Sequence, residues 1–259
     1  MLLALDIGNT EITGGLFAGT DLVAQWRFTT VHERTPDEWA VLFLSHLAHS
    51  GRDPRAVRAS VIGSVAPTVA TDLAAGIHQA CGVTPVEVGP SSPLPITLDV
   101  DEPLTVGADR VVNTLAAHAL FARDTIVVDF GTATTFDCIT ADGRFIGGVI
   151  APGVRTAADN LIRRTAKLPA TSLVAPPTVI GRRTEACIRS GVVFGTAEAV
   201  GGLVRRIVAE WPGGGVPLVV ATGGLAPLIA PLVPEIERVE PRLTLIGLRI
   251  AAGHLGLTW

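Results

Sequence analysis

Apolar residues fall first into short runs at close spacing, over residues 2–5, 12–17 and 22–28. Gly8-Asn9 and Gly19-Thr20-Asp21 stand between them, so the pattern predicts three strands joined by hairpins. The period then changes. Thr35-Pro36-Asp37-Glu38 reads as a helix start, with Thr35 as N-cap, Pro36 at the first helical position and acids in the first turn. Trp39, Leu42, Phe43 and Leu47 follow at helical spacing. A buried strand over residues 59–62, a helix over 67–80 and a strand near Val86 complete an α/β half. The uncharged stretch 216–234 is long enough to span a bilayer, but Pro217, Pro227, Pro231 and Pro234 surround Gly223-Gly224. That punctuation predicts a buried strand, a glycine turn and a short helix.

The second half repeats the opening. Ile126-Val127-Val128-Asp129-Phe130-Gly131-Thr132 matches Leu3-Ala4-Leu5-Asp6-Ile7-Gly8-Asn9 at a constant offset of 123 residues. Each is an apolar strand ending in Asp, an apolar residue and Gly, followed by threonine-rich polar positions. A fainter echo links Ile62-Gly63-Ser64-Val65-Ala66-Pro67 with Thr222-Gly223-Gly224-Leu225-Ala226-Pro227. A repeat of this size predicts two similar α/β lobes facing one another, with ligands in the cleft between them. We place residues 1–106 in an N-terminal lobe and 107–259 in a C-terminal lobe, linked by a helix near 107–122.

Composition narrows the chemistry. A chain of 259 residues, 48% hydrophobic and 17% charged, suits a soluble globule with one large or two smaller domains. Lys167 is the only lysine, and tyrosine is absent. A Walker A loop needs Lys directly before Ser or Thr, whereas Lys167 lies between Ala166 and Leu168, so a P-loop is excluded. With Arg163, Arg164 and Pro169 around it, Lys167 reads as a surface residue, not a Schiff-base nucleophile. A net charge of −4, with only the short pairs Arg163-Arg164 and Arg182-Arg183, argues against nucleic acid as a partner. Cys81, Cys138 and Cys187 are odd in number and far apart, which leaves buried thiols in a reducing cytoplasm as the expectation. No basic segment or signal-length apolar run opens the chain, so neither export nor a membrane partner is expected. His46 and His49 lack an acidic third ligand and read as exposed helix histidines. Ser60, Ser64 and Ser190 lack a Gly-x-Ser-x-Gly context, and the tryptophans Trp26, Trp39, Trp211 and Trp259 are assigned to packing or surface anchoring.

Two places carry chemistry. In Asp6-Ile7-Gly8-Asn9-Thr10, Gly8 permits close backbone approach, while Asn9, Thr10 and freed N–H groups can cradle phosphate oxygens without any lysine. Asp6, at a strand end, can hold hydrated Mg²⁺ beside them. Alone, Asp-x-Gly is an everyday hairpin turn; duplicated as Asp129-Phe130-Gly131-Thr132-Ala133-Thr134-Thr135, it becomes specific to the phosphate clamp of actin-like and sugar-kinase-like ATPases. The second place is Gly107-Ala108-Asp109-Arg110, opening a helix through Val111, Val112, Leu115, Ala116 and Ala119. Its plain reading is a helix cap with a neighbouring ion pair. Its functional reading is a base, Asp109, taking a proton from a substrate hydroxyl while Arg110 and the helix N-terminus bind an anion.

These motifs, with Trp26-Arg27-Phe28-Thr29-Thr30, Gly147-Gly148-Val149-Ile150-Ala151-Pro152-Gly153, Ile180-Gly181 with Thr184, Thr222-Gly223-Gly224 and Leu243-Thr244-Leu245-Ile246-Gly247-Leu248, occur in the order seen in type III pantothenate kinases. The chain resembles that family from Asp6 to Leu248. The resemblance implies an actin-like ATPase fold of two ribonuclease-H-like α/β lobes with the active site in their cleft. It implies ATP-dependent phosphorylation of pantothenate in coenzyme A biosynthesis. Asp6, Ile7, Gly8, Asn9, Thr10, Glu11, Ile12 and Thr13, with Thr132, would bind ATP, and Asp109 would be the general base. Val100, Gly107, Ala108, Asp109 and Arg110 would stand at the pantothenate pocket, with Thr184 reaching it from the partner subunit of a homodimer. Asp129 would hold potassium or ammonium, and Asp6 is a candidate for Mg²⁺.

The chain departs from the family pattern in three ways. Val100 stands where many members carry a pantothenate-binding Tyr, Glu11 follows the first loop in place of Asn or another neutral or basic residue, and Arg182-Arg183 precede Thr184. Glu11 facing a γ-phosphate would repel it, so its side chain is expected on the solvent face of its strand. Two other classes share the fold: a non-catalytic regulator and a kinase for another small hydroxylated substrate.

Overall fold

In a computed structural model the protein is described over residues 1–165, 168–169 and 171–259; Lys167, read as a surface residue, lies outside them. In chain order the elements are β1 (Leu2–Ile7), β2 (Glu11–Ala18), β3 (Asp21–Thr29), α1 (Pro36–His49), β4 (Ala59–Ser64), α2 (Pro67–Cys81), β5 (Val86–Val88), β6 (Thr97–Leu98) and α3 (Ala108–Phe121). They continue as β7 (Thr125–Phe130), β8 (Ala133–Ile139), β9 (Arg144–Pro152), α4 (Val154–Arg163), α5 (Thr184–Ala209), β10 (Leu218–Thr222), α6 (Ala226–Ile229), β11 (Arg238–Val239) and α7 (Leu243–His254).

Met1–Leu120 and Leu243–Trp259 form one compact unit, and Phe121–Arg242 a second. The boundary expected after residue 106 therefore moves to Leu120, and the chain crosses back at Leu243. Side-chain packing explains the shift. The Thr244 hydroxyl on α7 donates to Asn113 Oδ1 on α3 at 2.9 Å. Gly247 approaches α3 so closely that a methyl there would stand 2.8 Å from the Val112 carbonyl carbon.

The first unit holds a sheet in the order β3-β2-β1-β4-β5, with β1 antiparallel to β2 and parallel to β4. Leu3, Leu5 and Ile7 of β1 share a buried cluster with Trp39, Phe43 and Leu47 of α1 and with Leu73 and Ile77 of α2. Neighbouring residues on β2 point to opposite faces: Gly14 abuts Leu5 and Trp26, whereas Gly15 abuts Leu245. The helix pair α1 and α2 thus covers one face of the sheet and α7 the other. Helix α1 starts as its sequence predicts. Glu38 N–H donates to Thr35 Oγ1 at 3.4 Å and Thr35 N–H donates to Glu38 Oε2 at 2.8 Å, a capping box. His46 differs from expectation: it is half-buried, its ring 4.9 Å from Phe28 and 5.8 Å from Trp26, while His49 is exposed.

The second unit repeats this plan, its strands running in the order β9-β8-β7-β10-β11, with β7 antiparallel to β8 and parallel to β10. Ile126, Val128 and Phe130 of β7 pack with Val193 and Val200 of α5 and with Ile229 of α6. The duplication extends to single residues: β1 and β7 are buried throughout except at Asp6 and Asp129. The hairpin turns differ by one residue, because Ile7 pairs with Ile12 while Phe130 pairs with Thr134. The cysteines divide: Cys138 is buried, Cys81 is partly buried, and Cys187 is exposed, contrary to the expectation of three buried thiols. Among the described residues no helix is long and apolar enough to cross a membrane.

Candidate active site

The first aspartate turn is built by strand pairing. Asp6 lies opposite Thr13 on β2 and beside Gly63 on β4. Gly8 N–H donates to the Glu11 carbonyl at 3.1 Å, closing the turn, and Thr30 N–H donates to the Thr10 carbonyl at 3.0 Å. The Thr30 hydroxyl donates to the Gly8 carbonyl at 2.7 Å. Ile7 and Ile12 are fully buried, so only their backbone can take part in a phosphate loop. Asn9 and Thr10 are exposed at the tip. Glu11 turns to β3, where its carboxylate meets Arg27 Nε at 3.5 Å, a diagonal pair across the β2–β3 register.

Asp109 comes to the same edge of that unit. Val65 N–H donates to the Ile7 carbonyl at 3.0 Å, continuing the β1–β4 pairing past the strand ends. There, Cβ positions built on Gly63 and Gly107 would touch Ala108 Cβ at 3.8 Å and Val65 Cγ1 at 3.3 Å. The start of α3 therefore sits against the end of β4, the strand paired beside β1 and its Asp6 turn. Arg110 N–H donates to Asp109 Oδ1 at 2.9 Å. Burial pushes the Asp109 carboxyl above the ordinary carboxylate range, against the opposing pull of the Arg110 N–H and the Arg110 guanidinium. A half-buried carboxylate whose proton affinity is raised, at a helix N-terminus, is better suited to accept a proton than a fully solvated one. Val100, where the family pattern has a tyrosine, is half-buried just after β6.

The second unit carries the matching turn. Asp129 pairs with Thr135 on β8 and with Thr222 on β10. Gly131 N–H donates to the Ala133 carbonyl at 3.0 Å. The Thr132 carbonyl accepts twice, from Gly153 N–H at 3.2 Å and from the Thr156 hydroxyl at 2.7 Å. Gly223 has φ +89°, and a Cβ there would lie 2.7 Å from Phe130 N and closer still to Asp129 Oδ1. Only a glycine allows the backbone to approach that carboxylate so closely. Thr184 opens α5, exposed, and helps line an apolar cavity of about 680 Å³ with Cys187, Ile188, Leu161 and Phe136. Among the described residues no group of three or more His, Cys, Asp or Glu is arranged to hold a metal ion.

The structure brings Asp6–Thr13 and Gly107–Arg110 to one edge of the first unit, and places Asp129, Thr132 and Thr184 in the second. Sequence reading had given no role to Thr30 or Thr156. Thr30 appeared only as the end of a motif, and Thr156 carried no signal.

Two units with a duplicated strand order, each ending its central strand in an aspartate turn, define an ATPase fold of the actin-like and sugar-kinase-like class. A glucokinase of the ROK family from Streptomyces griseus superposes with a TM-score of 0.55 at 14% identity, covering 97% of this chain and 99% of that one. A protein described as a Baf family transcriptional activator from Campylobacter jejuni gives 0.60 at 17% identity, covering 98% of each. At such identities these matches show the fold alone. The particular family follows from closer relatives. A model of type III pantothenate kinases matches residues 2–206. The type III pantothenate kinase of Moorella thermoacetica is 46% identical over 251 residues, covering 96% of this chain and 98% of that protein. That of Roseiflexus castenholzii is 48% identical over 250 residues, covering 96% and 97%. The chain belongs to the type III pantothenate kinase family.

Proposed function

We propose that the protein transfers the γ-phosphoryl group of ATP to the primary hydroxyl of pantothenate, giving 4′-phosphopantothenate and ADP, the first step towards coenzyme A. The observation that carries this reading is Asp109, whose half-buried carboxyl at the start of α3 has its proton affinity raised beside the Asp6 turn. In this reading Asp109 accepts the hydroxyl proton as the oxygen attacks phosphorus. Arg110 and the N-terminus of α3 hold the pantothenate carboxylate. Residues 6–13 and Thr132 receive the phosphates, Glu11 through its backbone, because its carboxylate is engaged with Arg27. Phosphoryl transfer is mostly positioning and charge neutralisation, so a clamp of this kind needs little covalent chemistry from the protein.

The residues also suit the cations implied by the family. Asp129 is a partly exposed carboxylate at a strand end, beside the backbone oxygens of its turn, a hard-oxygen donor set of the kind such cations take. Asp129 would hold potassium or ammonium and Asp6 would hold Mg²⁺; both ions would supply positive charge to the phosphates. Thr184, exposed at the start of α5, would complete the pantothenate pocket of a partner subunit in a cytoplasmic homodimer.

ADP release measured over a panel of pantothenate, other small hydroxy acids and sugars tests the assignment. Release dependent on pantothenate supports it. Equal release with another substrate, or none with pantothenate, overturns it.

A further inference from the structure

We propose that Thr30 is a positioning residue that aims the first phosphate loop, an inference that rests on the kinase reading above. Thr30 sits just past β3 and holds two carbonyls of the turn: Gly8 O through its hydroxyl at 2.7 Å and Thr10 O through its N–H at 3.0 Å. The chain contains no cis peptide among the described residues. In a trans peptide the C=O and the following N–H point in opposite directions. Pinning Gly8 O towards Thr30 therefore turns the Asn9 N–H to the other side of the turn, where it can donate to a phosphate. A carbonyl free to rotate would instead offer its negative end to the same oxygens.

The second turn also has a carbonyl held by a threonine hydroxyl, one position further along: at the 123-residue offset Thr132 corresponds to Asn9, not to Gly8. The Thr156 hydroxyl, in the first turn of α4, donates to the Thr132 carbonyl at 2.7 Å. Thr30 follows a strand and Thr156 opens a helix, so the two hydroxyls are not copies of one ancestral position. Each turn thus has one carbonyl fixed by a threonine hydroxyl at 2.7 Å, although the carbonyl held differs by one position between them.

The test compares Thr30→Val, which keeps the shape and removes the donor, with Thr30→Ser, which restores it. Thr30→Ala is a second donor-free variant with less bulk. Steady-state rates give KM for ATP and for pantothenate separately, and titration with a non-hydrolysable ATP analogue gives nucleotide affinity without turnover. A lost hydrogen bond that only orients the loop is expected to weaken ATP and analogue binding about tenfold in Val and Ala. The pantothenate KM is expected to stay within about twofold of wild type, and Ser to recover nucleotide binding. Unchanged nucleotide binding in Val and Ala, equal loss for both substrates, or no recovery with Ser each overturns the proposal. A wild-type protein without pantothenate-dependent turnover would instead overturn the kinase reading, while the analogue titration still reports on Thr30.

Discussion

Replacing Gly153 by alanine adds one methyl against the second aspartate turn. Gly153 is the N-cap of α4 with an ordinary φ of −66°, so the substitution carries no backbone penalty of its own. Its Cβ, however, would lie 2.5 Å from the Gly131 carbonyl oxygen and 2.7 Å from the Thr132 carbonyl carbon. Comfortable contact for such atoms begins near 3.5 Å, so the turn must retreat by about 1 Å. Neither obstacle is a flexible side-chain end, and overpacking of this kind costs about 1–3 kcal/mol. For a chain of this size that lowers the melting temperature by roughly 2–12 °C. A shift of about 1 Å in a phosphate-binding loop costs on the order of 100-fold in kcat/KM for ATP. Gly131→Ala is the control for stability, because its Cβ would meet nothing nearer than 3.5 Å. Thermal unfolding of both variants, with ATP kinetics on Gly153→Ala, checks the reasoning. A Gly153→Ala protein that matches wild type in melting temperature and kcat/KM would refute it.

Three further outcomes follow from the same geometry. Asp109 holds its proton more tightly folded than unfolded, so its contribution to stability falls as pH rises from the ordinary carboxylate range through its raised value. Asp109→Asn should therefore melt higher than wild type at neutral pH, with the gain shrinking as pH is lowered towards 4; equal melting at pH 7 would contradict this. An exposed thiol reacts first with a disulfide reagent, so Cys187→Ser should abolish the fast phase of labelling. Cys81, pushed up to about 11 by burial, should label slowly at pH 8 in either protein, and mass mapping of the labelled site decides the matter. The Glu11–Arg27 pair is about half exposed on both sides, so Glu11→Gln should change stability by less than about 1 kcal/mol in chemical denaturation.

Local rules made much of the fold legible. Short apolar runs and turn residues located β1 to β3, and the Thr35-Pro36-Asp37-Glu38 signature located the start of α1, where a capping box forms. The duplicated Asp-apolar-Gly located both aspartate turns because strand ends and turn glycines leave a dense local signal. The unit boundary was not legible, since it depends on Thr244 reaching Asn113 from 131 residues away. His46 was misjudged for a similar reason: its burial comes from Trp26 and Phe28 on β3, not from its own helix. Thr30 and Thr156 escaped notice because a hydroxyl bound to a carbonyl more than 20 residues away has no periodicity or spacing to betray it.

The central claim is that this chain phosphorylates pantothenate with Asp109 as the base. The most direct measurement is formation of 4′-phosphopantothenate from ATP and pantothenate in potassium buffer, by wild type and by Asp109→Asn. Wild type should form it only when both substrates are present, and Asp109→Asn should be slower by about 10²–10⁴-fold. ATP hydrolysis that ignores pantothenate, or an Asp109→Asn enzyme as fast as wild type, would contradict the account.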